Sequence, residues 1–297
     1  MVNCKRLVII GVGLIGGSFA LALKRAGIVS EIVGVDRNRA ALEDALRLNV
    51  IDVAANISDA LEYADLVLLA VPVGQMSATF TLVASGVNAN AIIIDCGSTK
   101  QDVIAAARAT LGEKIAQFVP AHPIAGRETS GVGSADATLF AGKNIVIAPL
   151  VENSAVTISR VENAWRACGA NVVTMTAAAH DAIFAAVSHL PHMLAFALVD
   201  EFAARPNAKS LFSFAASGFR DFTRIAGSSP EMWRDIAMNN RDALLTEMDA
   251  YIVKTQQLRT LIANADSAEL EHLMQRAREA RTKWLAGELD GFRDESA

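Results

Sequence analysis

The sequence predicts an α/β protein in two parts: a parallel sheet covered by helices over residues 1–176, then an all-helical half over residues 177–297. Three observations predict it. Short apolar runs alternate with helical stretches through the first half. A glycine-rich turn, Gly11-Val12-Gly13-Leu14-Ile15-Gly16, joins the first run to the first helical stretch. After Thr176 strand-like runs cease, and alanine- and leucine-rich segments at helical spacing take over.

Residues 6–10 (RLVII) form a short apolar run ending in glycines, as expected of a strand buried on both faces. Residues 13–27 (GLIGGSFALALKRAG) read as the first helix, with Gly27 as its stop signal. Residues 31–36 (EIVGVD) give the second strand and residues 40–48 the second helix. The runs 65–72 (DLVLLAVP), 91–98 (AIIIDCGS), 115–121 (IAQFVPA) and 143–149 (KNIVIAP) continue the sheet, with helical segments between most of them. In the second half, 180–203 and 242–262 are long helical stretches, with breaks at 205–207 (RPN) and 227–230 (GSSP). Pro191 is expected to kink or break the first of them and to free backbone carbonyls.

Composition narrows the function. The chain has 297 residues, 52% hydrophobic and 20% charged, with a net charge of −5 and no basic stripe, so a nucleic-acid binder is not expected. Cys4, Cys96 and Cys168 are odd in number and widely spaced, which excludes a disulfide framework or a CxxC metal site and suits the cytoplasm. Lys5-Arg6 and the uncharged run 7–23 imitate a signal peptide. That run is too rich in glycine and slightly too short for a membrane span, and the strand, glycine turn and acid described next explain it better.

The glycine turn matches G-x-G-x-x-G at the strand-to-helix junction where the motif has a mechanism, and it defines a Rossmann-type dinucleotide-binding domain. Gly11 permits the tight turn, Gly13 lets a pyrophosphate approach the backbone, and Gly16 lets helix and strand pack closely. Leu14 and Ile15 open the helix whose unpaired N–H groups would face the phosphates. Asp36 ends the second strand, where its carboxylate can accept from the adenosine ribose hydroxyls and repel a 2′-phosphate. NAD is therefore expected, with NADP as the alternative because Arg37 could hold a 2′-phosphate. Val71 and Pro72, closing the run 65–72, complete the expected cofactor contacts.

Five histidines are available for chemistry. His272 lies in a charged helix and is solvated. His180 precedes Asp181 at a helix start, where capping or packing explains it. His122 follows the strand 115–121, and ligands of open α/β sheets sit at the carboxyl ends of strands. Ser98, after the strand 91–98, shares that edge. An imidazole there suits general-base work. His189 and His192 are three residues apart and could share a face, but no third ligand lies near, so no metal is expected. Residues 217–236 concentrate Arg220, Asp221, Arg224, Trp233, Arg234 and Asp235. Arginine is the usual clamp for a carboxylate.

With those residues in view, the chain resembles the prephenate/arogenate dehydrogenase family over nearly its whole length. The resemblance rests on GVGLIGGSFA, DCGSTK, AHPIAGRETSG, HDAIFAAVSHLPHMLAFAL and GFRDFTRIAGSSPEMWRDI, in the family's order. It implies oxidative decarboxylation of a cyclohexadienyl acid with hydride transfer to NAD(P)+, giving 4-hydroxyphenylpyruvate or tyrosine. It implies that His122 accepts the hydroxyl proton and that Ser98 orients His122 or the nicotinamide. It further implies that Arg224 binds the ring carboxylate, that His192 and Ser188 line the pocket, that Glu128 gates or orders its entrance, and that Trp233 shapes its wall. A homodimer through the helical half is implied too. Ser217 stands where the family carries a second glycine before Phe219, adding bulk on the substrate side. Two other readings stand beside this one: a different dehydrogenase or reductase with a helical dimer domain, acting on hydroxy acids or imines, and a non-enzymatic NAD-sensing module. The first usually centres on a helical lysine, and none here lies in a comparable polar motif; the second would need neither His122 nor Arg224.

Overall fold

The computed structural model describes residues 4–127 and 129–288, so Glu128 lies outside the described residues. The elements run β1 Cys4–Ile10, α1 Leu14–Arg25, β2 Val29–Val35, α2 Arg39–Arg47, β3 Val53–Ala54, α3 Ile57–Leu61, β4 Leu66–Leu69, α4 Met76–Gly86, β5 Ile92–Asp95, α5 Gln101–Leu111, β6 Phe118–Val119, β7 Ala121–Pro123, β8 Asn144–Ile147, α6 Ala155–Ala167 and β9 Asn171–Thr174. Helices follow: α7 Ala177–Phe184, α8 Leu190–Ala203, α9 Ala208–Ser213, α10 Ser217–Thr223, α11 Pro230–Asn239, α12 Arg241–Ala263 and α13 Ser267–Ala286.

Six strands form an all-parallel sheet in the order β3-β2-β1-β4-β5-β6. Its strands are apolar on both faces because both faces are covered. Alternate residues serve opposite layers: Leu7 and Ile9 of β1 join α1 and α6, while Val8 and Ile10 join α4 and α5. In the first layer Phe19 lies 4.6 Å from Trp165, ring centre to ring centre.

Two sequence expectations change. The run 115–121 is divided, residues 118–119 closing the large parallel sheet as β6, and the run 143–149 does not join that sheet. β7, β8 and β9 make a second, three-stranded sheet in which β7 runs antiparallel to β8 and β8 parallel to β9. Pro120 causes the separation: it has no N–H for the ladder, and its carbonyl accepts instead from Ala148 N at 2.9 Å. His122 therefore sits inside a short strand, opposite Val146, three residues beyond the end of β6 in the large sheet. Pro191 does not break its helix either. Residues Ala185–His189 wind as a wider π-turn, and the helical run continues through Pro191 just after it, at the start of α8.

Residues 1–244 and 245–297 form two compact units. The first contains both sheets and the helices through α11, and α11 packs on the short 3₁₀ turn Val73–Gln75 after β4. The second contains most of α12 and all of α13. The continuous helical run Ala177–Ala203 is long and apolar enough to cross a membrane by length and composition, and most of it is only half-buried or exposed in the single chain.

Candidate active site

The glycine turn has the geometry its sequence requires. Gly11 takes φ +97°, and a Cβ there would lie 2.4 Å from Ala70 O. A Cβ on Gly16 would lie 2.3 Å from Gly11 O and 2.7 Å from Ile9 Cγ2, so helix and strand touch through it. A Cβ on Gly13 would meet nothing within 4 Å, which leaves the backbone open at the N-terminus of α1. Among the described residues no side chain caps that terminus, so its N–H groups remain available to phosphate oxygens. The Asp36 carboxylate accepts from Val12 N at 2.9 Å and Asn38 N at 2.8 Å, tying the end of β2 to the glycine turn. Arg37 is exposed and donates to Gln75 Oε1 at 2.7 Å. Gln75 lies on the turn that follows Val71 and Pro72. These residues fit a dinucleotide.

His122 is held by neighbours that sequence reading did not assign to it. Its Nδ1 lies 2.8 Å from His180 Nε2, and His180 Nδ1 lies 2.8 Å from Asp181 Oδ1. Asp181 Oδ1 also accepts from Lys100 N, and Oδ2 from Gln101 N, both at 2.8 Å. Asp181 thus caps α5 from a distant helix. Phe184 closes over both imidazoles, its ring centre 5.1 Å from that of His122 and 4.5 Å from that of His180. Burial, then the neighbouring His180 and Lys100, pushes the His122 pKa well below the ordinary histidine value. Burial likewise lowers His180, against the pull of Asp181. Burial alone would raise Asp181, but the hydrogen bonds from His180, Gln101 and Lys100 outweigh it and hold the carboxyl below its usual range. Two neutral imidazoles therefore stand in line with one carboxylate.

A buried ion pair sets the strand that carries His122. Asp95, ending β5, pairs with Lys100, and both side chains are fully buried. The remaining Asp95 acceptors take Gly97 N and Ala121 N, each at 2.8 Å. A charge pair this deep is tolerable only with its other lone pairs filled, as here. The bond to Ala121 N holds the residue beside His122.

His189 and His192 diverge. His189 is buried, its Nδ1 accepting from Asn240 Nδ2 at 3.1 Å, and it also hydrogen-bonds the Ser98 backbone. Asn240 donates as well to Asp181 O at 2.8 Å. His192 Nδ1 pairs with Ser188 O at 2.9 Å, and its ring stacks on Trp233 at 3.6 Å. Trp233 is 6% exposed, and its indole N–H has no hydrogen-bond partner among the described residues. Burial first, and then the charge of Arg224, lowers the His192 pKa, so Arg224 on the turn Arg224–Gly227 acts on the same region. The structure thus brings His122, Ser98, His189 and Asn240 into one network through His180 and Asp181, with His192, Ser188, Trp233 and Arg224 grouped beside it.

Sequence reading missed Asp95, Lys100, His180, Asp181 and Asn240 as site residues. The available signal was a charged residue at each end of D-C-G-S-T-K in an otherwise apolar region.

Residues 19–174 match the family model described as prephenate dehydrogenase, nucleotide-binding domain, and residues 176–276 match prephenate dehydrogenase, dimerization domain. The chain belongs to the prephenate dehydrogenase family. It is 37% identical to a prephenate dehydrogenase of Bacillus subtilis, over 93% of this chain and 75% of that protein. It is 34% identical to a cyclohexadienyl dehydrogenase of Zymomonas mobilis, over 96% of this chain and 97% of that one. The crystal structure of prephenate dehydrogenase from Aquifex aeolicus, in complex with hydroxyphenyl propionate and NAD+, superposes with a TM-score of 0.88 at 33% identity, covering 94% of this chain and 98% of that one. This family membership agrees with the Rossmann-type first half and the helical second half found above.

Proposed function

We propose that the chain catalyses oxidative decarboxylation of prephenate or arogenate, with NAD+ as hydride acceptor, giving 4-hydroxyphenylpyruvate or tyrosine. The observation that carries the reading is a neutral His122 fixed beside the end of β5, in a family whose Aquifex aeolicus member is seen with NAD+ and hydroxyphenyl propionate.

Gly11, Gly13, Leu14, Ile15 and Gly16 cradle the pyrophosphate, Asp36 takes the adenosine ribose, and Val71 and Pro72 pack beside the cofactor. Bound NAD+ accepts the hydride from the carbon that bears the substrate hydroxyl. His122 accepts the hydroxyl proton, for which a neutral imidazole is required. Because Nδ1 of His122 is already paired with His180, Ser98 is assigned to the nicotinamide side. Arg224 clamps the ring carboxylate, which leaves as carbon dioxide. His192 and Ser188 line the pocket, Trp233 forms its wall, and Glu128 is assigned to its entrance. The functional division falls at 176/177, nucleotide half before substrate half.

The enzyme works in the cytoplasm as a homodimer built through the helical half. Free Cys4, Cys96 and Cys168 suit the first statement. For the second, the exposed apolar side of Ala177–Ala203 and the exposed Val253, Ile262, Met274, Trp284 and Leu285 need cover. Light scattering of the purified chain reads the assembly directly. Steady-state assay of both substrates with both cofactors tests the activity. Reduced cofactor from prephenate or arogenate is expected, and none from any of the four combinations would overturn the reading.

A further inference from the structure

The hydrogen bonds around His122 have a direction, and that direction selects the ring nitrogen that acts. Asp181 is ionised, and both of its oxygens accept from backbone N–H groups. It has no proton to give, so the hydrogen between Asp181 and His180 sits on His180 Nδ1. His180 is neutral, so its Nε2 bears a lone pair and must accept. His122 Nδ1 is then the donor in the 2.8 Å contact between the two rings. A neutral His122 that donates from Nδ1 keeps its lone pair on Nε2.

We propose that His180 and Asp181 are positioning residues for His122: they hold it as the Nδ1–H tautomer, with Nε2 as the base, and share its positive charge while it holds the substrate proton. The inference rests on the reading of His122 as the base of the dehydrogenase.

The proton balance explains why the relay is sealed. As hydride leaves the hydroxyl-bearing carbon, the O–H bond breaks and an N–H bond forms at His122 Nε2. The hydrogen on Nδ1 passes to His180 Nε2, placing the cation against Asp181. When the ring carboxylate departs, the electron pair of the broken C–C bond moves through the ring to the new carbonyl oxygen. That oxygen becomes a phenolate and takes the proton back from Nε2, while the Nδ1 hydrogen returns. The organic acid has then lost a hydride and carbon dioxide and kept its proton as a phenol. No proton leaves the site in a turnover, so the relay needs no outlet. His180 and Asp181 have none, being 0% and 1% exposed. The return step also restores both starting tautomers, ready for the next substrate.

Two measurements test this. In enzyme labelled with ¹⁵N-histidine, the His122 signals, assigned by their loss in His122→Asn, should show a protonated Nδ1 and a bare Nε2 at neutral pH. The opposite tautomer would overturn the proposal without reference to activity. In steady-state assays, His180→Leu should cut kcat about 10²-fold, within the usual range for acid–base catalysis, with little change in KM or cofactor affinity. His180→Gln serves if the leucine variant does not fold. Within the His122→Asn background the same substitution should cost nothing further, because the two residues act as one unit. An unchanged kcat, or an equal loss in both backgrounds, would sink the relay while leaving the dehydrogenase reading intact. A wild type inactive on every substrate would instead remove that reading, and the tautomer measurement would still judge the hydrogen-bond chain.

Discussion

Asp181 caps a helix that begins 80 residues earlier in the chain: its Oδ2 lies 2.8 Å from the backbone N of Gln101, the first residue of α5. The same carboxylate orients His180. One side chain therefore joins the helical part that follows β9 to the start of a sheet helix and to the base.

Asp181→Ala should lose both effects. Removing a helix cap costs about 0.5–2 kcal/mol, and the unpaired His180 adds to that. Urea unfolding at neutral pH should show a loss of about 2 kcal/mol or more, together with a collapse of kcat. Because the Asp181 pKa is lowered in the fold, its ionic contribution is complete above the unfolded carboxylate pKa and fades as pH drops through the folded one. The stability gap between wild type and Asp181→Asn should therefore narrow only in acid.

His122→Asn should reduce turnover by at least about 10²-fold and leave NAD binding nearly unchanged, since the side chain serves the proton and not the cofactor. Calorimetric titration with NAD+ beside a rate assay separates the two. Weakened cofactor affinity at normal kcat would reverse the assignment.

Arg224→Ala should act mainly on KM, because a carboxylate clamp binds ground and transition states alike. A charge-assisted hydrogen bond is worth about 1.5–3 kcal/mol, which corresponds to a rise in KM of roughly ten-fold to a hundred-fold. A fall in kcat at constant KM would place Arg224 elsewhere in the mechanism.

The glycines of the nucleotide turn should separate by phenotype. Gly16→Ala drives a Cβ to 2.3 Å from Gly11 O and should cost about 1–3 kcal/mol in thermal or urea unfolding. Gly13→Ala meets open space. Its Tm should stay near wild type while the KM for NAD+ rises, because the methyl group stands where the pyrophosphate would lie.

His189 gives the fold a pH dependence of its own. Burial pushes its pKa down from 6.5 to about 4. A lowered folded pKa means full stability above 6.5 and progressive loss as pH falls from there toward 4, where the unfolded chain binds the proton and the folded one does not. His189→Gln can still bond both Asn240 and Ser98. It should flatten the Tm–pH curve across that window, and an unchanged slope would count against the assignment.

The sequence is most legible where structure is local. The run before Gly11 had to be a buried strand, the glycines had to turn, and Asp36 had to fall at the end of β2. The second sheet was harder to see because β7 is a three-residue strand and Pro120 hides its separation inside one apolar run. The relay was illegible for a different reason. His180 and His122 are 58 residues apart, and no periodicity connects them. His180 reads as a packing residue because its own helix says nothing about what its ring meets. Lys100 stood in a quoted motif but gained a role only once Asp95 was found buried against it.

The π-turn at Ala185–His189 makes the two histidines after it a matter of phase. A π-turn carries one residue more than the α-helix it interrupts, and such turns gather at functional sites. Winding the same residues as a regular α-helix, with none removed, would rotate everything downstream by about 100°, one residue's share of a turn. His192 would swing off Trp233, with its chemistry unaltered and its aim lost. In this segment the winding itself is a specificity element: a regular helix of the same sequence could keep every named side chain and still present the wrong face to the substrate.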